Sequence, residues 1–244
     1  MTKNKGILSI ENLIARYNGN VILDNINLNV DKGEICCVIG EEGSGKSTLL
    51  KAITQQIQHT GTIKYHGKIL NKIPTSNMNN LGIDFISQGG NILKGFTVEE
   101  HIKLALSGKL KVETELIWNE IENSFLQIKK NRKQIAGRLS GGERILLSLS
   151  CLLATDADLW ILDEPTAGLA PDVSGNIEVF LLKMSATRKK TILLMEHNYD
   201  FAFKVSNSIV TLKEGKLSNK YMPDVFREER FIEEKLYDSN NLQT

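Results

Sequence analysis

Residues 34–53 read Glu-Ile-Cys-Cys-Val-Ile, then Gly40-Glu41-Glu42-Gly43-Ser44-Gly45-Lys46-Ser47-Thr48, then Leu-Leu-Lys-Ala-Ile. An apolar run of strand length, a glycine-rich turn and a helix-forming stretch follow one another directly. In that setting consecutive backbone N–H groups converge on an anion, and the helix N-terminus adds positive potential. The spacing GxxxxGKS then assigns parts: Lys46 reaches the β- and γ-phosphates of a nucleoside triphosphate, and the Ser47 hydroxyl ligates Mg²⁺. A strand, a phosphate loop and a helix in this order belong to an α/β architecture.

Working outward, the 244-residue chain carries 30 basic and 29 acidic residues, a formal charge of +1. No block of like charge stands out, so charge alone points to neither nucleic acid nor an anionic membrane surface. A chain of this size buries a full core as one domain, with or without a subdomain. Cys36 and Cys37 are strand neighbours whose side chains point to opposite faces, so they do not pair with each other. With Cys151 they make an odd set of thiols in apolar segments, which fits a reducing compartment. The N-terminus MTKNKGILSIENLI shows no signal peptide. The most apolar stretch, ILLSLSCLLA at 145–154, is about half the length of a membrane helix. Contact with a membrane would run through a partner.

Residues 7–14 and 21–30 alternate as half-buried strands do, with Ile22, Asn25, Ile26, Asn27, Leu28, Asn29 and Val30 carrying the pattern. Tyr17, Asn18 and Gly19 turn between them. Short strands are expected at 61–65 (GTIKY) and 83–87 (IDFIS), the latter followed by Gln88 and two glycines. Between 97 and 131 the pattern becomes helical. Thr97 and Glu100 form a capping box, and a second helix is expected through Leu116, Ile117, Ile121, Phe125 and Ile128. Then helix 142–154, strand 159–163, helix 173–187, strand 191–195, helix 198–205 and strand 208–212 alternate, which implies a mostly parallel sheet. In the polar tail, Val225, Phe226, Ile232 and Leu236 suggest one docking helix.

LWILDEP at 159–165 is an apolar strand ending in two acids. Adjacent carboxylates are costly to desolvate, so they need a solvated turn, a cation or a reaction. Beside a phosphate loop the cation is Mg²⁺ on phosphates, held by Asp163 with Ser47, and Glu164 is placed to polarise an attacking water. Leu139-Ser140-Gly141-Gly142-Glu143 opens a helix; alone it reads either as a capped helix start or as a second anion site. His197 follows the strand after the acids.

Phosphate loop, Gln88, LSGGE, LWILDEP and His197, in that order, resemble the ATP-binding cassette (ABC) ATPases, from Leu8 to about Leu217. The resemblance implies a P-loop NTPase core with a mostly parallel sheet, an antiparallel N-terminal β region and a helical subdomain. It implies a single domain over 1–244: a core at 1–90 and 155–220, a helical subdomain at 91–154 carrying LSGGE, and a tail at 221–244. It further implies that two cassettes, identical or sister, pair head to tail, each ATP lying between the phosphate loop (Gly40, Glu41, Glu42, Gly43, Ser44, Gly45, Lys46, Ser47, Thr48) of one and Ser140, Gly141, Gly142 and Glu143 of the other. Tyr17 would stack on adenine, and Gln88 would touch Mg²⁺ and water. His197 would contact the γ-phosphate, and AGLAPD at 167–172 would face the opposite site.

AGRLSGGE, AGLAP and LLMEHN look most like the branched-chain amino-acid importer type, with the lipopolysaccharide-export type similar in places. Glu41 and Glu42 depart from the family, which usually has uncharged residues there. The function implied is ATP hydrolysis driving solute movement through transmembrane permease subunits, peripheral on the cytoplasmic face of the inner membrane, with a solute-binding protein in an importer and no nucleic acid. Two other classes share the motifs: a soluble single-cassette ATPase of an assembly or repair machine, and a regulatory module that closes on ATP without cutting it.

Overall fold

The computed structural model describes residues 6–17 and 19–226. The suggested docking helix of the tail lies almost wholly outside them. Two sheets share the molecule. The first is antiparallel, in the order β2-β1-β4-β5, from β1 (Leu8–Tyr17), β2 (Asn20–Val30), β4 (His59–Tyr65) and β5 (Lys68–Ile69). Between β2 and β4 the chain makes β3 (Ile35–Ile39) and helix α1 (Lys46–Ile53).

After β5 come a short helix α2 (Met78–Leu81), the strand β6 (Ile83–Ile86), and helices α3 (Val98–Ala105), α4 (Lys111–Ser124), α5 (Leu126–Lys130) and α6 (Gly141–Ala154). The chain then alternates through β7 (Leu159–Asp163), α7 (Pro171–Arg188), β8 (Thr191–Glu196), α8 (Tyr199–Val205), β9 (Ser208–Lys213) and β10 (Lys216–Leu217). The second sheet runs β10-β9-β3-β8-β7-β6, parallel from β9 to β6, with β10 antiparallel at one edge. The mostly parallel sheet and antiparallel N-terminal region expected from the sequence are both present.

Because both faces of the parallel sheet are covered, its central strands are buried at every position, as β3 and β7 are. Side chains alternate between two apolar layers. Cys37, Trp160, Leu162, Ile192 and Leu194 face the layer shared with α3–α8, whereas Cys36, Leu159, Ile161, Leu193 and Met195 face α1 and the antiparallel sheet. The two adjacent cysteines therefore lie in different layers, both free and buried, and burial pushes the Cys36 thiol up to about 11.

Two expectations need correction. Alternation in the N-terminal strands does not run straight through β2. Asn25 adopts a left-handed φ of 52° and a register shift falls between the pairs Leu13↔Ile26 and Ala15↔Leu23. That bulge turns Leu23 inward rather than Ile22, which is only half-buried. The expected second helix of the insert is two. Phe125, at φ −136° and ψ 88°, leaves the helical region between α4 and α5, and its fully buried ring packs on Phe180 at 4.8 Å. Burial of that ring decides the break, which apolar spacing alone does not reveal. The capping box at Thr97 and Glu100 forms at the start of α3.

The matching bulge in β1 sets up a test. Asn12, at φ 51°, lies against Gly61 so closely that a Cβ on Gly61, itself at φ 84°, would sit 2.3 Å from the Asn12 carbonyl oxygen. Gly61→Ala is expected to destabilise the fold by about 1–3 kcal/mol, through clash and a left-handed backbone together. Urea unfolding with an unchanged m-value checks it.

Candidate functional site

The loop after β3 is built to leave donors open. Gly45, the residue before α1, has φ 110° and no side chain with which to cap the helix. There is no acid in the first turn of α1, so its leading amides keep their capacity for an outside anion. That φ favours glycine, and a Cβ there would also come 2.9 Å from Leu23 Cδ2 of the bulged strand β2. Glu41 and Glu42 are exposed, and they line a cavity of ≈ 360 Å³ with Tyr199, Thr211 and Glu214. Lys46 is only 4% exposed. Its Nζ donates to the carbonyls of Gly40 at 2.7 Å and Glu41 at 2.8 Å and pairs with Glu164 Oε1 at 3.1 Å.

The acids come from the end of β7. Asp163 is 3% exposed, and its Oδ1 has no hydrogen-bond partner among the described residues. Burial pushes its carboxyl above the usual range; the hydrogen bond from the Ser47 hydroxyl opposes this, the charge of Glu164 adds to it, and Lys46 pulls it back. Glu164 turns the chain with φ 48°, and its amide donates to Met195 O at 2.8 Å. Its Oε2 accepts from Gln88 Nε2 at 3.2 Å and lies 3.5 Å from His197 Nδ1. One carboxylate thus meets the loop lysine, the glutamine after β6 and the histidine after β8.

Asp163 and Ser47 suit a hard divalent cation: a buried carboxylate oxygen is unsatisfied and a hydroxyl already lies on the same carboxylate. Among the described residues no group of three or more His, Cys, Asp or Glu could hold a metal ion. Phosphate and water oxygens would have to complete the shell, as is usual for Mg²⁺.

The other residues singled out in the sequence lie apart from this cluster or carry no contact to it. Tyr17, at the end of β1, is 66% exposed. Thr48 is half-buried on α1. Ser140 caps α6: its Oγ accepts from Glu143 N at 3.3 Å, and Glu143 Oε2 accepts from Ser140 N at 2.8 Å. Glu143 Oε1 also accepts from Asn131 Nδ2 at 2.6 Å. These hydrogen bonds hold the Glu143 carboxyl below its usual range although burial opposes them. A Cβ on Gly142 would meet Val173 Cγ1 at 3.2 Å, so the start of α6 is packed on the start of α7. The hydrogen bonds of Ser140 and Glu143 thus stay within their own loop and Asn131.

Sequence reasoning passed over Glu196. It ends β8, is fully buried, and accepts four hydrogen bonds, from Thr166 Oγ1 (2.6 Å), Thr166 N (3.2 Å), His197 N (3.1 Å) and Asn198 N (3.3 Å). Burial pushes its carboxyl up, and those hydrogen bonds oppose the shift. The signal was available: an acid closing an apolar strand, the same feature that drew attention to Asp163.

The family model described as ABC transporter matches residues 23–167. The chain is 34% identical over 221 residues to a probable branched-chain amino acid transport ATP-binding protein of Archaeoglobus fulgidus, covering 90% of this chain and 94% of that one. It is 29% identical to a high-affinity branched-chain amino acid transport ATP-binding protein of Pseudomonas aeruginosa, covering 86% and 91%. Among solved structures, the ADP conformation of an ATP-binding cassette of an ABC transporter superposes with TM-score 0.76 at 25% identity, covering 96% of each chain.

Burial of Asp163 makes a prediction about stability. Its folded carboxyl holds its proton more tightly than the unfolded one, so the parent loses stability as pH rises from the unfolded value through the raised folded one. Asp163→Asn removes that penalty. In nucleotide- and magnesium-free buffer at pH 7.5 it is expected to raise Tm, on the order of 2–4 °C. The gain should vanish in acid below the unfolded pKa, which scanning calorimetry at two pH values checks.

Proposed function

The chain belongs to the ABC transporter family, and from that footing we propose that it is the ATP-driven subunit of a transporter most like the branched-chain amino-acid importers, working as a head-to-tail pair. It binds ATP and hydrolyses it, as members of the family do. The observation that carries the reading is the Glu164 carboxylate, which touches Lys46, Gln88 and His197 at once beside the Asp163–Ser47 pair. Those groups are what cutting a phosphoanhydride calls for: a cation on the phosphates, a base for water, and oxygens for a metal.

In this reading the amides from Gly40 to Thr48 and the Lys46 ammonium hold the phosphates, and Tyr17 stacks on adenine. Ser47, Asp163 and Gln88 hold Mg²⁺, which when bound would offset charge on the phosphate oxygens. In the structure Lys46 is occupied by two loop carbonyls and by Glu164. A triphosphate competes with Glu164 for that ammonium. Nucleotide entry therefore frees the carboxylate to accept a proton from water, while His197 steadies the γ-phosphate. Ser140 to Glu143 serve the nucleotide of a second cassette, and residues 91–154 act as the helical subdomain. No helix among the described residues is long and apolar enough to cross a membrane. In this reading solute moves through transmembrane permease subunits, with this chain peripheral at the cytoplasmic face and a solute-binding protein where the system imports.

Glu164→Gln is expected to keep MgATP binding but to hydrolyse roughly 10²–10⁴ times more slowly, the usual worth of a positioned base. It should also accumulate as an ATP-bound dimer on a sizing column. Phosphate release near the parent's rate would move the base elsewhere, His197 being the next candidate.

A further inference from the structure

Glu196 has no part in the function just described, yet it is the best-connected acid in the site. In the sheet it pairs with Ile39, the residue before the phosphate loop, and its neighbour Met195 pairs with Asp163. Its backbone oxygen accepts from Gly40 N at 3.3 Å. Its side chain divides its oxygens: Oε1 takes both donors of Thr166, and Oε2 takes the amides of His197 and Asn198. Thr166 belongs to the turn that begins at Glu164, closed by Ala167 N donating to Glu164 O at 3.2 Å. One fully buried carboxylate therefore ties the turn that carries Glu164 to the residue that carries the imidazole of His197.

No lysine or arginine pairs with Glu196 among the described residues; the ring of His197 lies beside it, with Nδ1 at 3.9 Å. A buried carboxylate satisfied only by dipoles and an exposed imidazole is an expensive way to close a strand, and a well-packed apolar residue would serve stability at least as well. What it supplies is geometry. Glu164 sits at φ 48°, a backbone state that persists only where its surroundings impose it.

We propose that Glu196 is a positioning residue for hydrolysis, clamping the Glu164–Ala167 turn against the His197 segment so that both side chains meet the γ-phosphate in register. The proposal rests on the roles given above to Glu164 and His197. A glutamine at 196 keeps the volume but has only one acceptor oxygen, so its amide N–H₂ would face either the Thr166 donors or the His197 and Asn198 amides. The turn or the histidine segment must then shift.

The test uses the full chain and four variants: Glu196→Gln, Thr166→Val, Thr166→Ser and the double Glu196→Gln/Thr166→Val. For each, kcat comes from phosphate release, ATP affinity from calorimetry and integrity from a thermal melt. Glu196→Gln is expected to lose about 10–100-fold in kcat, the usual effect of removing a supporting contact. Its ATP affinity should stay within about threefold of the parent, because the loss falls on the chemical step. Thr166→Val should lose part of the rate, Thr166→Ser should recover most of it by restoring the hydroxyl donor, and the double variant should fall no further than Glu196→Gln alone. A folded Glu196→Gln at the parent's kcat overturns the proposal. So does a parallel loss of affinity and rate, which marks a general packing role, and so does a double variant whose losses multiply. Should Glu196→Gln not fold, the Thr166 pair decides: valine slow with serine recovered supports the clamp, and valine at the parent's rate overturns it. Glu164→Gln in the same assay separates the premises. If it keeps the parent's rate, the assignment of Glu164 falls, while a selective kcat loss in Glu196→Gln still stands as positioning of the His197 segment.

Discussion

The ion pair between Lys46 and Glu164, 3.1 Å across with the two side chains 4% and 13% exposed, is the contact around which the site is arranged. Pairing offsets the cost of desolvating the two charges, on the order of several kcal/mol for an unpaired ion. The pair forms because three neighbouring parallel strands, β3, β8 and β7, end side by side. Each delivers a polar group where its apolar run stops: the phosphate loop after Ile39, Glu196 and His197 from β8, Asp163 and Glu164 from β7. The two apolar layers on either face of the sheet hold those ends in register, so packing far from the site sets the distances within it.

The balance of charge at those ends is left open. Asp163, Glu164 and Glu196 gather round Lys46 and the half-exposed ring of His197. Among the described residues one Asp163 oxygen has no partner, and the first turn of α1 has no capping side chain. In the proposed reading a polyanion accompanied by a divalent cation would answer both at once: its oxygens would meet the amides and Lys46, and its cation Asp163 and Ser47. A phosphate reaching Lys46 would compete with Glu164 for its ammonium. Electrostatics suited to a ligand carry a cost, here the burial that pushes the Asp163 carboxyl above its usual range.

Much of this was legible in the sequence because its cues are local. GxxxxGKS between a strand and a helix, two acids closing LWILD, and the capping signal at Thr97 each depend on residues a few positions apart. What escaped depends on residues far apart in the chain. The inward turn of Leu23 follows from bulges at Asn25 and at Asn12, the latter seated against Gly61 across the sheet. The break at Phe125 follows from its seat against Phe180. Glu196 ends its strand as Asp163 does, but its partner Thr166 lies 30 residues away, and only the fold brings the two together.

One piece of the motif set remains unassembled within a single chain. Ser140 and Glu143 direct their hydrogen bonds to each other and to Asn131, while Lys46 and Glu164 form a separate cluster. If a second chain completes each site, two defects in different chains should complement. Lys46→Ala removes the phosphate-loop cation but keeps Ser140 to Glu143; Ser140→Arg places a bulky cation at the start of α6 but keeps the phosphate loop. The decisive measurement is the ATPase rate of an equal mixture against that of each variant alone. Each alone should be nearly inactive, and the mixture should regain part of the parent's rate through pairs with one intact site. Full activity of Ser140→Arg by itself would contradict the account, because the LSGGE segment would then lie outside the site and the head-to-tail pairing would fail.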